Sequence, residues 1–568
     1  MIHKLDARRL TGLNVIWQHP SAIVDVAFDD PADQAPFIAA WESQLASMLP
    51  ALDWSQREVT NHQFVGGVSL ALAAPIDALY AAVEVVEWAF RSALVRLNQP
   101  LPDDDDGVVD ASFDDAVQRL ANLISEEQTP RLLEIADEAA EADVAFLWDD
   151  DDVSVGLGRG ARCWPAGALP DSIDWSPVAD VPVGLVTGTN GKTTTVRLCT
   201  RIWRAAGKHV GFSSTDGIVV DDEIIDRGDY SGPGGARSIL RRPNVDIAIL
   251  ETARGGLLRR GLGVQRADAA LITNISEDHL GDFGSQNLDE LLDIKWLVMR
   301  ALDQESTAVL NADDKRLVAK SEQLDCPITW FALQPDNAVL FAHTAKGGRG
   351  FSVRAGQLSR FDGERWRPIC RIDDIPITLG GIARHNVANA LAAAALCHAL
   401  GAPDAAIAEG LQSMQVNDNA GRCNIFEIDG FEVLLDFAHN ADAMAALFQI
   451  ASRHPAKRRA LCFGQAGDRT DREIKDLARG AWAIGLDRVM ISELAAYRRG
   501  RAEREVFDLL SEALCEAGAS REQISHHELE RDALESALAW AVPGDLIIML
   551  ALSDATGLLQ RLAELSKT

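Results

Sequence analysis

The sequence predicts an α/β protein with an N-terminal α+β domain, a central P-loop ATPase domain on a parallel sheet, and a C-terminal Rossmann-like α/β domain. Three observations favour this class. From Val181 onward, short apolar runs alternate with helical patterns; the first run leads into a glycine-rich loop; and a second series of such runs follows residue 416. Strands that alternate with helices are typical of a parallel sheet covered by helices.

The pattern divides the 568 residues into an N-terminal domain at 1–150, a linker at 151–180, a central domain at 181–416 and a C-terminal domain at 417–568. The first part mixes short apolar strands with alanine-rich helical runs, and the linker is rich in Gly and Pro. The predicted central strands are VPVGLVT, DIAIL, AALIT and TAVLN, and the predicted C-terminal strands are EVLLD, RALCF, RVMIS and DLIIML.

The composition limits the class of partner. Hydrophobic residues make up 47% of the chain, which is globular composition. The 54 basic and 85 acidic residues give a net charge of −31, so we expect no nucleic acid partner. The eight cysteines form no CxxC pair, and the N-terminus has no apolar signal region. We therefore expect a cytoplasmic protein without a membrane partner.

The strongest local motif is VTGTNGKTTT, which leads from an apolar strand into a helix. It is a shortened P-loop, because Val186 stands where the strict motif has its first glycine. Glycines let the backbone turn its N–H groups inward, and a helix N-terminus favours phosphate. Lys192 can reach the phosphates and the Thr193 hydroxyl can bind Mg²⁺. The predicted ATP-binding residues here are Gly188, Thr189, Asn190, Gly191, Lys192, Thr193 and Thr194.

Polar residues follow two later strands of the same predicted sheet. Glu251 ends DIAIL, while AALIT runs into Asn274 and then His279. Ligands of parallel α/β sheets bind outside the carboxyl ends of the strands. A carboxylate and an imidazole there can join Thr193 as Mg²⁺ ligands around a triphosphate. Taken alone, a Glu or His at such a position can equally be a surface residue or a helix cap.

These motifs resemble the Mur ligase superfamily. From about residue 180 to 500, TGTNGKTT, DHL after TNIS, ARHNVANALAAAAL and GRCNIFEIDGFEVLLDFAHNADAM follow its pattern in its order. Within it, the chain is most similar to the Mur-like half of cyanophycin synthetases, through STDGIVV, SGPGGARSIL, ETARGGLLRRGLG, NISEDHLGDFG and the N-terminal RRLTGLNVIW. The resemblance implies amide-bond formation driven by ATP through an acyl phosphate. In that half of those synthetases, arginine is joined to an aspartate side-chain carboxylate by an isopeptide bond.

The resemblance also implies roles for individual residues. The catalytic set would be Lys192, Glu251, His279 and Lys295, of which Lys295 would be carbamylated and bind metal with Thr193, Glu251 and His279. An ordinary helix lysine is the alternative for Lys295. ATP would further contact Asn274, Asn386 (adenine), Arg422 (phosphates) and Asp436 (ribose). Weaker candidates for substrate binding are Arg254, Arg259, His439, Asp468, Arg469 and Arg498, where basic surface loops are the alternative.

We therefore expect an ATP-dependent acid–amino-acid ligase with ATP and Mg²⁺ as cofactors. It would join an amino acid, arginine or another basic one, to the side-chain carboxylate of an aspartyl substrate. No ATP-grasp domain fits between Pro165 and Val181. This spacing implies either a separate ATP-grasp partner or a smaller isopeptide product. A homo-oligomer is expected from the resemblance. Two alternatives stay open, a noncatalytic or partner-dependent subunit of a cyanophycin-like system and a cell-wall precursor ligase.

Overall fold

The computed structural model describes residues 1–101, 110–277 and 287–566. The described chain forms two compact units, and each is treated by itself below. Unit 1 comprises residues 1–101, 110–275, 287–330 and 395–403, and unit 2 comprises residues 276–277, 331–394 and 404–566.

Unit 1 begins with an antiparallel sheet covered by helices. Its elements are β1 (Ile2–Leu10), β2 (Ser21–Phe28), α1 (Gln34–Ala51), β3 (Val59–Phe64), β4 (Gly67–Ala73), α2 (Leu79–Arg96), α3 (Phe113–Glu127) and α4 (Pro130–Glu141). The strand order is β1-β2-β4-β3. Helix α2 packs on this sheet, and α1 packs on α2 through aromatic contacts such as Phe37 edge-on to Phe90, with ring centroids 5.5 Å apart. This is the predicted N-terminal α+β arrangement.

The stretch 151–180, expected to be a linker, contains two strands. They belong to a small antiparallel sheet of β5 (Phe146–Trp148), β6 (Asp152–Val155) and β7 (Arg162–Pro165). Gly158 has a φ of +55° in the turn that reverses the chain between β6 and β7. Val153 and Val155 are buried, so the glycines that suggested a linker serve here as the turn of a packed hairpin.

The second part of unit 1 is a mainly parallel sheet. Its elements are β8 (Val183–Thr187), α5 (Lys192–Ala205), β9 (Val210–Ser214), β10 (Gly217–Val220), β11 (Glu223–Arg227), α6 (Pro233–Leu240), β12 (Ile247–Glu251), α7 (Arg254–Arg260), β13 (Ala269–Ile272), α8 (Leu288–Lys295), β14 (Thr307–Asn311) and α9 (Lys315–Lys320). The order is β11-β10-β9-β12-β8-β13-β14. Strands β9, β12, β8, β13 and β14 are parallel, with β8 and all its residues buried at the centre. The carboxyl ends of these strands therefore meet at one edge.

Two further elements cross the boundary between the units along the chain, β15 (Ile328–Ala332) and α11 (Arg384–Ala399). Unit 2 adds an antiparallel meander that the sequence reasoning did not anticipate. It consists of β16 (Gly350–Arg354), β17 (Gln357–Phe361) and β18 (Trp366–Arg371), preceded by α10 (Ala338–Thr344) and followed by α12 (Asp404–Ser413).

The C-terminal sheet of unit 2 has both faces covered by helices. Its elements are β19 (Asn424–Ile428), β20 (Phe431–Asp436), α13 (Ala441–Arg453), β21 (Arg459–Phe463), α14 (Asp471–Trp482), β22 (Arg488–Ser492), α15 (Glu505–Glu516), β23 (Ile524–His527), α16 (Glu530–Trp540), β24 (Leu546–Leu550) and α17 (Ala555–Leu565). The order is β19-β20-β24-β21-β22-β23, and only the β19–β20 hairpin is antiparallel. Helices α13, α14 and α15 contribute to the core on one face, and α16 and α17 to the core on the other.

The predicted fold class is confirmed: an α+β N-terminal part, a central P-loop sheet and a Rossmann-like C-terminal sheet. The domain boundaries of the sequence analysis stay a prediction. None of the helices in the described ranges is both long enough and apolar enough to cross a membrane.

Candidate active site

The predicted phosphate loop connects β8 to α5 in unit 1. Gly188 has a φ of +148° and Gly191 a φ of +85°, conformations that L-residues with a side chain rarely adopt. A Cβ atom on Gly188 would lie 1.9 Å from the Thr273 hydroxyl oxygen, so only glycine fits. Gly191 is also the N-cap of α5 and makes no side-chain cap. Gly191 therefore has no side chain that would compete with an anion for the N–H groups of the first helical turn.

The loop is held by residues that follow the neighbouring strand β13. The Asn190 N–H donates to Asn274 Oδ1 at 3.0 Å, and Asn274 Nδ2 donates back to the Asn190 carbonyl at 3.0 Å. The Thr273 hydroxyl donates to the same carbonyl at 2.7 Å. The Thr189 N–H donates to the Asn274 carbonyl at 2.9 Å. Asn274, which the resemblance assigned to ATP, therefore also shapes the loop itself.

The loop brings the predicted lysine and threonine to the start of α5. Lys192 is half-buried and its ammonium donates to the Thr189 carbonyl at 3.0 Å. Thr193 is buried, with its hydroxyl 3.3 Å from the hydroxyl of Thr215. Thr215 directly follows β9, and the sequence reasoning missed it. Its position after an apolar strand was the available indication.

Two of the charged candidates of unit 1, Glu251 and Lys295, are almost fully buried. Glu251 is the last residue of β12, is 1% exposed, and pairs in register with Val186 of β8. Lys295 is the last residue of α8, is 4% exposed, and donates from Nζ to the Gly188 carbonyl at 2.8 Å. The structure thus brings Lys295 to the loop and Glu251 to the adjacent strand end. His279, the remaining predicted metal ligand, lies outside the described residues.

Arg254 and Arg259 lie on α7, against which the N-terminal segment docks. Within unit 1, the Thr11 N–H donates to the Arg260 carbonyl at 3.1 Å and the Leu262 N–H donates to the Leu13 carbonyl at 2.7 Å. Arg8 also donates to a carbonyl of this helix, at 3.2 Å. Arg254 is half-buried and Arg259 is exposed. The N-terminal domain therefore fixes the helix that carries these arginines.

In unit 2, the predicted adenine residue is engaged inside its own unit. Asn386 is 2% exposed in the first turn of α11. Its Nδ2 donates to the Ile377 carbonyl at 2.9 Å, and its Oδ1 accepts from Asn389 Nδ2 at 3.2 Å. These two bonds use one N–H of the amide and one lone pair of its oxygen.

Asp436 and Arg422 lie at one turn of unit 2. Asp436 Oδ2 accepts the Cys423 N–H at 2.7 Å and lies 3.3 Å from its thiol sulfur. The carboxylate thereby holds Cys423 in a left-handed conformation with φ +53°. The Arg422 guanidinium lies 4.9 Å from the centroid of the Phe437 ring, a cation–π distance. Burial lowers the pKa of His385, whose Nε2 lies 3.6 Å from the Cys423 sulfur. The Phe437 ring therefore supports the Arg422 guanidinium.

His439 lies beside the same ring, with centroids 5.3 Å apart, and its Nδ1 is 3.1 Å from the Phe437 carbonyl oxygen. Because a carbonyl can only accept, the proton lies on Nδ1. The next residue, Asn440, caps α13 through the Ala443 N–H at 3.0 Å. His439 is therefore held directly before the N-cap of α13.

The two C-terminal loops that carry Asp468, Arg469 and Arg498 lie together in unit 2. The Gly467 N–H donates to the Tyr497 carbonyl at 2.8 Å. Arg501 donates to the Gly467 carbonyl at 2.9 Å and to the Arg469 carbonyl at 2.7 Å. Asp468 is exposed and Arg469 half-buried. Arg501 thus links the two loops rather than facing a ligand.

Comparison with known proteins assigns the class. The profile of the Mur ligase middle domain matches residues 186–397, and the profile described as Mur ligase, glutamate ligase domain matches residues 421–551. The chain therefore belongs to the Mur ligase family, as the resemblance predicted.

Three individual proteins show how far the similarity extends along the chain. Cyanophycin synthetase of Crocosphaera subtropica is 33% identical over 375 residues, which cover 65% of this chain and 42% of that protein. The chain thus spans less than half the length of this relative. UDP-N-acetylmuramoyl-L-alanyl-D-glutamate–2,6-diaminopimelate ligase of Corynebacterium efficiens is 26% identical and covers 69% of this chain and 73% of its own length. E. coli FolC in complex with DHPP and ADP, 19% identical, covers 68% of this chain and 89% of its own with a TM-score of 0.50, and shows a common fold.

Proposed function

We propose that this protein is an ATP-dependent ligase that forms an amide, more narrowly an isopeptide, bond between an amino acid and a carboxylate. The proposal rests on the phosphate loop. Hydrogen bonds from the side chains of Asn274 and Thr273 hold this loop in place. Lys192 and Thr193 start the helix behind it, and Glu251 ends the adjacent strand. Membership of the Mur ligase family adds the reaction class to this geometry.

The residues present fit ATP and Mg²⁺. The glycine loop leads into the N-terminus of α5, which favours phosphate, and the N-cap residue Gly191 has no side chain that would compete for that position. The hydroxyl of Thr193 and the carboxylate of Glu251 are the oxygen ligands that Mg²⁺ prefers. Mg²⁺ would neutralise charge on the phosphates, with Lys192 as a further cation. Thr193, Glu251 and His279 remain the proposed metal set.

Lys295 is proposed to join this set as a carbamate. Its ammonium donates to the Gly188 carbonyl at 2.8 Å in a buried position. Carbamylation would replace the cation by an anion and leave one N–H on Nζ for the same carbonyl. A buried anion requires a positive neighbour, which a metal ion would provide.

The chemistry then runs in two balanced steps. A carboxylate oxygen of the acceptor attacks the γ-phosphorus of ATP, the bond to the β-phosphate oxygen breaks, and ADP leaves. The amine attacks the acyl carbon, a carbon–nitrogen bond forms, the nitrogen loses a proton, and inorganic phosphate leaves. The part of this chain in the first step is to hold the phosphates in line through the loop and Lys192.

For the substrates, we propose a basic amino acid, arginine foremost, and an aspartyl side-chain carboxylate. The support is the similarity to cyanophycin synthetase over 65% of this chain. Arg254 and Arg259 on α7 would face an acidic acceptor, and the loops with His439, Asp468, Arg469 and Arg498 would receive the amine. A separate ATP-grasp protein would extend the backbone if the product is a polymer.

The test uses purified full-length protein with ATP, Mg²⁺, a panel of β-aspartyl acceptors and each amino acid singly. We expect phosphate release with one acceptor–amine pair and a product whose mass is the sum of the two less water. Lys192→Ala should abolish product without changing the thermal unfolding temperature, and Lys208→Ala, an exposed lysine, should leave turnover unchanged. Turnover retained by Lys192→Ala would refute the proposed function. A UDP-muramoyl peptide is added as a further acceptor, and turnover with it alone would favour a cell-wall ligase. No turnover with any acceptor, with ATP still bound, would favour a noncatalytic subunit.

A further inference from the structure

Buried polar groups at the carboxyl end of the C-terminal sheet point to a ligand. Strands β21, β22 and β23 are parallel neighbours in unit 2. Gln465 lies just after β21, Glu493 just after β22, and His526 near the end of β23. Polar groups at this edge of a parallel sheet face the crevice where ligands of α/β proteins bind. Gln465 lies in the loop that carries the predicted Asp468 and Arg469, whereas Glu493 and His526 were not singled out from the sequence.

Glu493 is the centre of this cluster. Its side chain is only 8% exposed. Oε2 lies 3.4 Å from Arg498 Nε, and Oε1 lies 3.5 Å from His526 Nε2. Both distances are too long, or too poorly aligned, for hydrogen bonds, and Glu493 Oε1, Arg498 Nε and His526 Nε2 are buried atoms without a hydrogen-bond partner in the described structure. A buried carboxylate oxygen in this state is costly unless something completes its hydrogen bonds.

The charged groups around Glu493 are hydrogen-bond donors, so Glu493 is the main hydrogen-bond acceptor of this cluster. Arg504 Nη1 lies 3.4 Å from His526 Nδ1, and because arginine can only donate, Nδ1 of a neutral His526 is the acceptor. The proton of that imidazole then lies on Nε2, on the Glu493 side. On the neighbouring strand end, Gln465 is 8% exposed and its Oε1 is another buried acceptor without a hydrogen bond among the described residues. Glu493 Oε1, which has only the long contact to His526 Nε2, and Gln465 Oε1 are thus two buried acceptors that make no hydrogen bond to the described residues.

We propose that Glu493, with Gln465, recognises the cationic side-chain group of a basic amino acid, and that Arg498 pairs with its α-carboxylate. The inference rests on the proposed function, since it makes this amino acid the incoming amine. A guanidinium or ammonium group carries only donors, which suits two unsatisfied acceptors. An acidic side chain would meet a buried carboxylate instead. The Arg498 side chain is 35% exposed, so a ligand can reach it.

The first test is binding by the full-length protein, measured by equilibrium dialysis with L-arginine, L-lysine and the neutral isostere L-citrulline. The wild type should bind a basic amino acid more tightly than citrulline. Glu493→Gln should weaken binding of the basic amino acid roughly 10- to 100-fold and leave citrulline unchanged, because one charge-assisted hydrogen-bonded contact is lost. Glu493→Asp keeps the charge and should keep the preference. The matched control is Glu512→Gln, an exposed carboxylate paired with Lys475 on the same domain.

The second readout is ligation. In Glu493→Gln, KM for the amine should rise while KM for ATP and the unfolding temperature stay those of the wild type. If Glu493→Gln does not fold, Gln465→Met tests the second acceptor in the same assays and should also weaken binding of the basic amino acid.

Three results would overturn the inference: an unchanged preference in Glu493→Gln, a wild type that prefers citrulline, or a wild type that binds none of the three. A wild type that ligates nothing would refute the proposed function alone. In that case the dialysis experiment would still decide whether Glu493 holds a cation.

Discussion

The side chain of Asn274 should control nucleotide affinity through the shape of the phosphate loop. It makes two hydrogen bonds to the backbone of Asn190, one accepted and one donated, both at 3.0 Å. Asn274→Ala removes both, while the Thr273 hydroxyl still donates to the Asn190 carbonyl. At about 0.5–1.5 kcal/mol for each bond, the loop conformation should lose roughly 1–2 kcal/mol, since water can replace part of the contact at this half-buried position.

This loss converts into affinity because ATP binds only the ordered loop. The apparent dissociation constant rises by the factor through which the competent conformation is depleted. A cost of about 1–2 kcal/mol corresponds to at most roughly 5- to 30-fold weaker binding, the full factor applying when the ordered loop is the minor conformation of the free protein. Titration of the full-length protein with a fluorescent ATP analogue measures the affinity. Thermal unfolding with and without ATP measures the stability of the protein and its stabilisation by the nucleotide.

The matched control is Asn337→Ala. Asn337 caps α10 in unit 2 by accepting the N–H groups of Val339 and Leu340 at 3.0 and 3.1 Å, so its removal also costs two side-chain-to-backbone hydrogen bonds. It should lower stability by about 1 kcal/mol and leave nucleotide affinity unchanged. Equal affinities in Asn274→Ala and the wild type would refute the reasoning, as would an equal loss in both variants.

Two further changes follow from the structure. Gly188→Ala should abolish nucleotide binding in the same titration, because the new Cβ would lie 1.9 Å from the Thr273 hydroxyl oxygen at a φ of +148°. Gly480→Ala, with open space around its Cβ inside a helix, should be neutral or slightly stabilising. Glu530→Gln should cost about 2–4 kcal/mol in urea unfolding, because the 2% exposed carboxylate accepts the N–H groups of residues 552–554 at 2.7–3.0 Å. An unchanged unfolding midpoint would contradict that role.

The alternation of strands and helices could be predicted, because the spacing of apolar residues along a short stretch of sequence differs between the two. The apolar runs after Val181 became the parallel strands, and the shortened glycine motif became the turn into α5. Two features of the fold were not predicted. The meander at 350–371 turns at short Ala-Gly and Asp-Gly pairs, which resemble loops when they stand inside a βα pattern. The 151–180 stretch was interpreted as a linker because it is rich in Gly and Pro, whereas β6 and β7 pair around its glycines.

For the site, the position of a residue at the end of a predicted strand indicated a functional role. The hydrogen-bond partners of a side chain could not be predicted from the sequence. Glu251 and Asn274 were identified because each ends or follows an apolar run. Glu493 stands in the same kind of position after RVMIS, but the arginine-rich stretch behind it drew the prediction to Arg498. The sequence also could not indicate that Arg501 links two loops through their carbonyl groups, because that depends on contacts 32 and 34 residues apart.

The pattern of hydrogen-bond satisfaction separates two kinds of polar residue in this molecule. Around the phosphate loop, Asn274 and Thr273 satisfy backbone groups, so they maintain a shape that exists before the nucleotide arrives. At the edge of the C-terminal sheet, Glu493 Oε1 and Gln465 Oε1 are buried acceptors that the described protein does not satisfy. A group that is already satisfied preorganises a site, whereas an unsatisfied one marks where a ligand completes it. Asn274→Ala should therefore change the affinity for ATP and not the choice of amine, and Glu493→Gln should do the reverse.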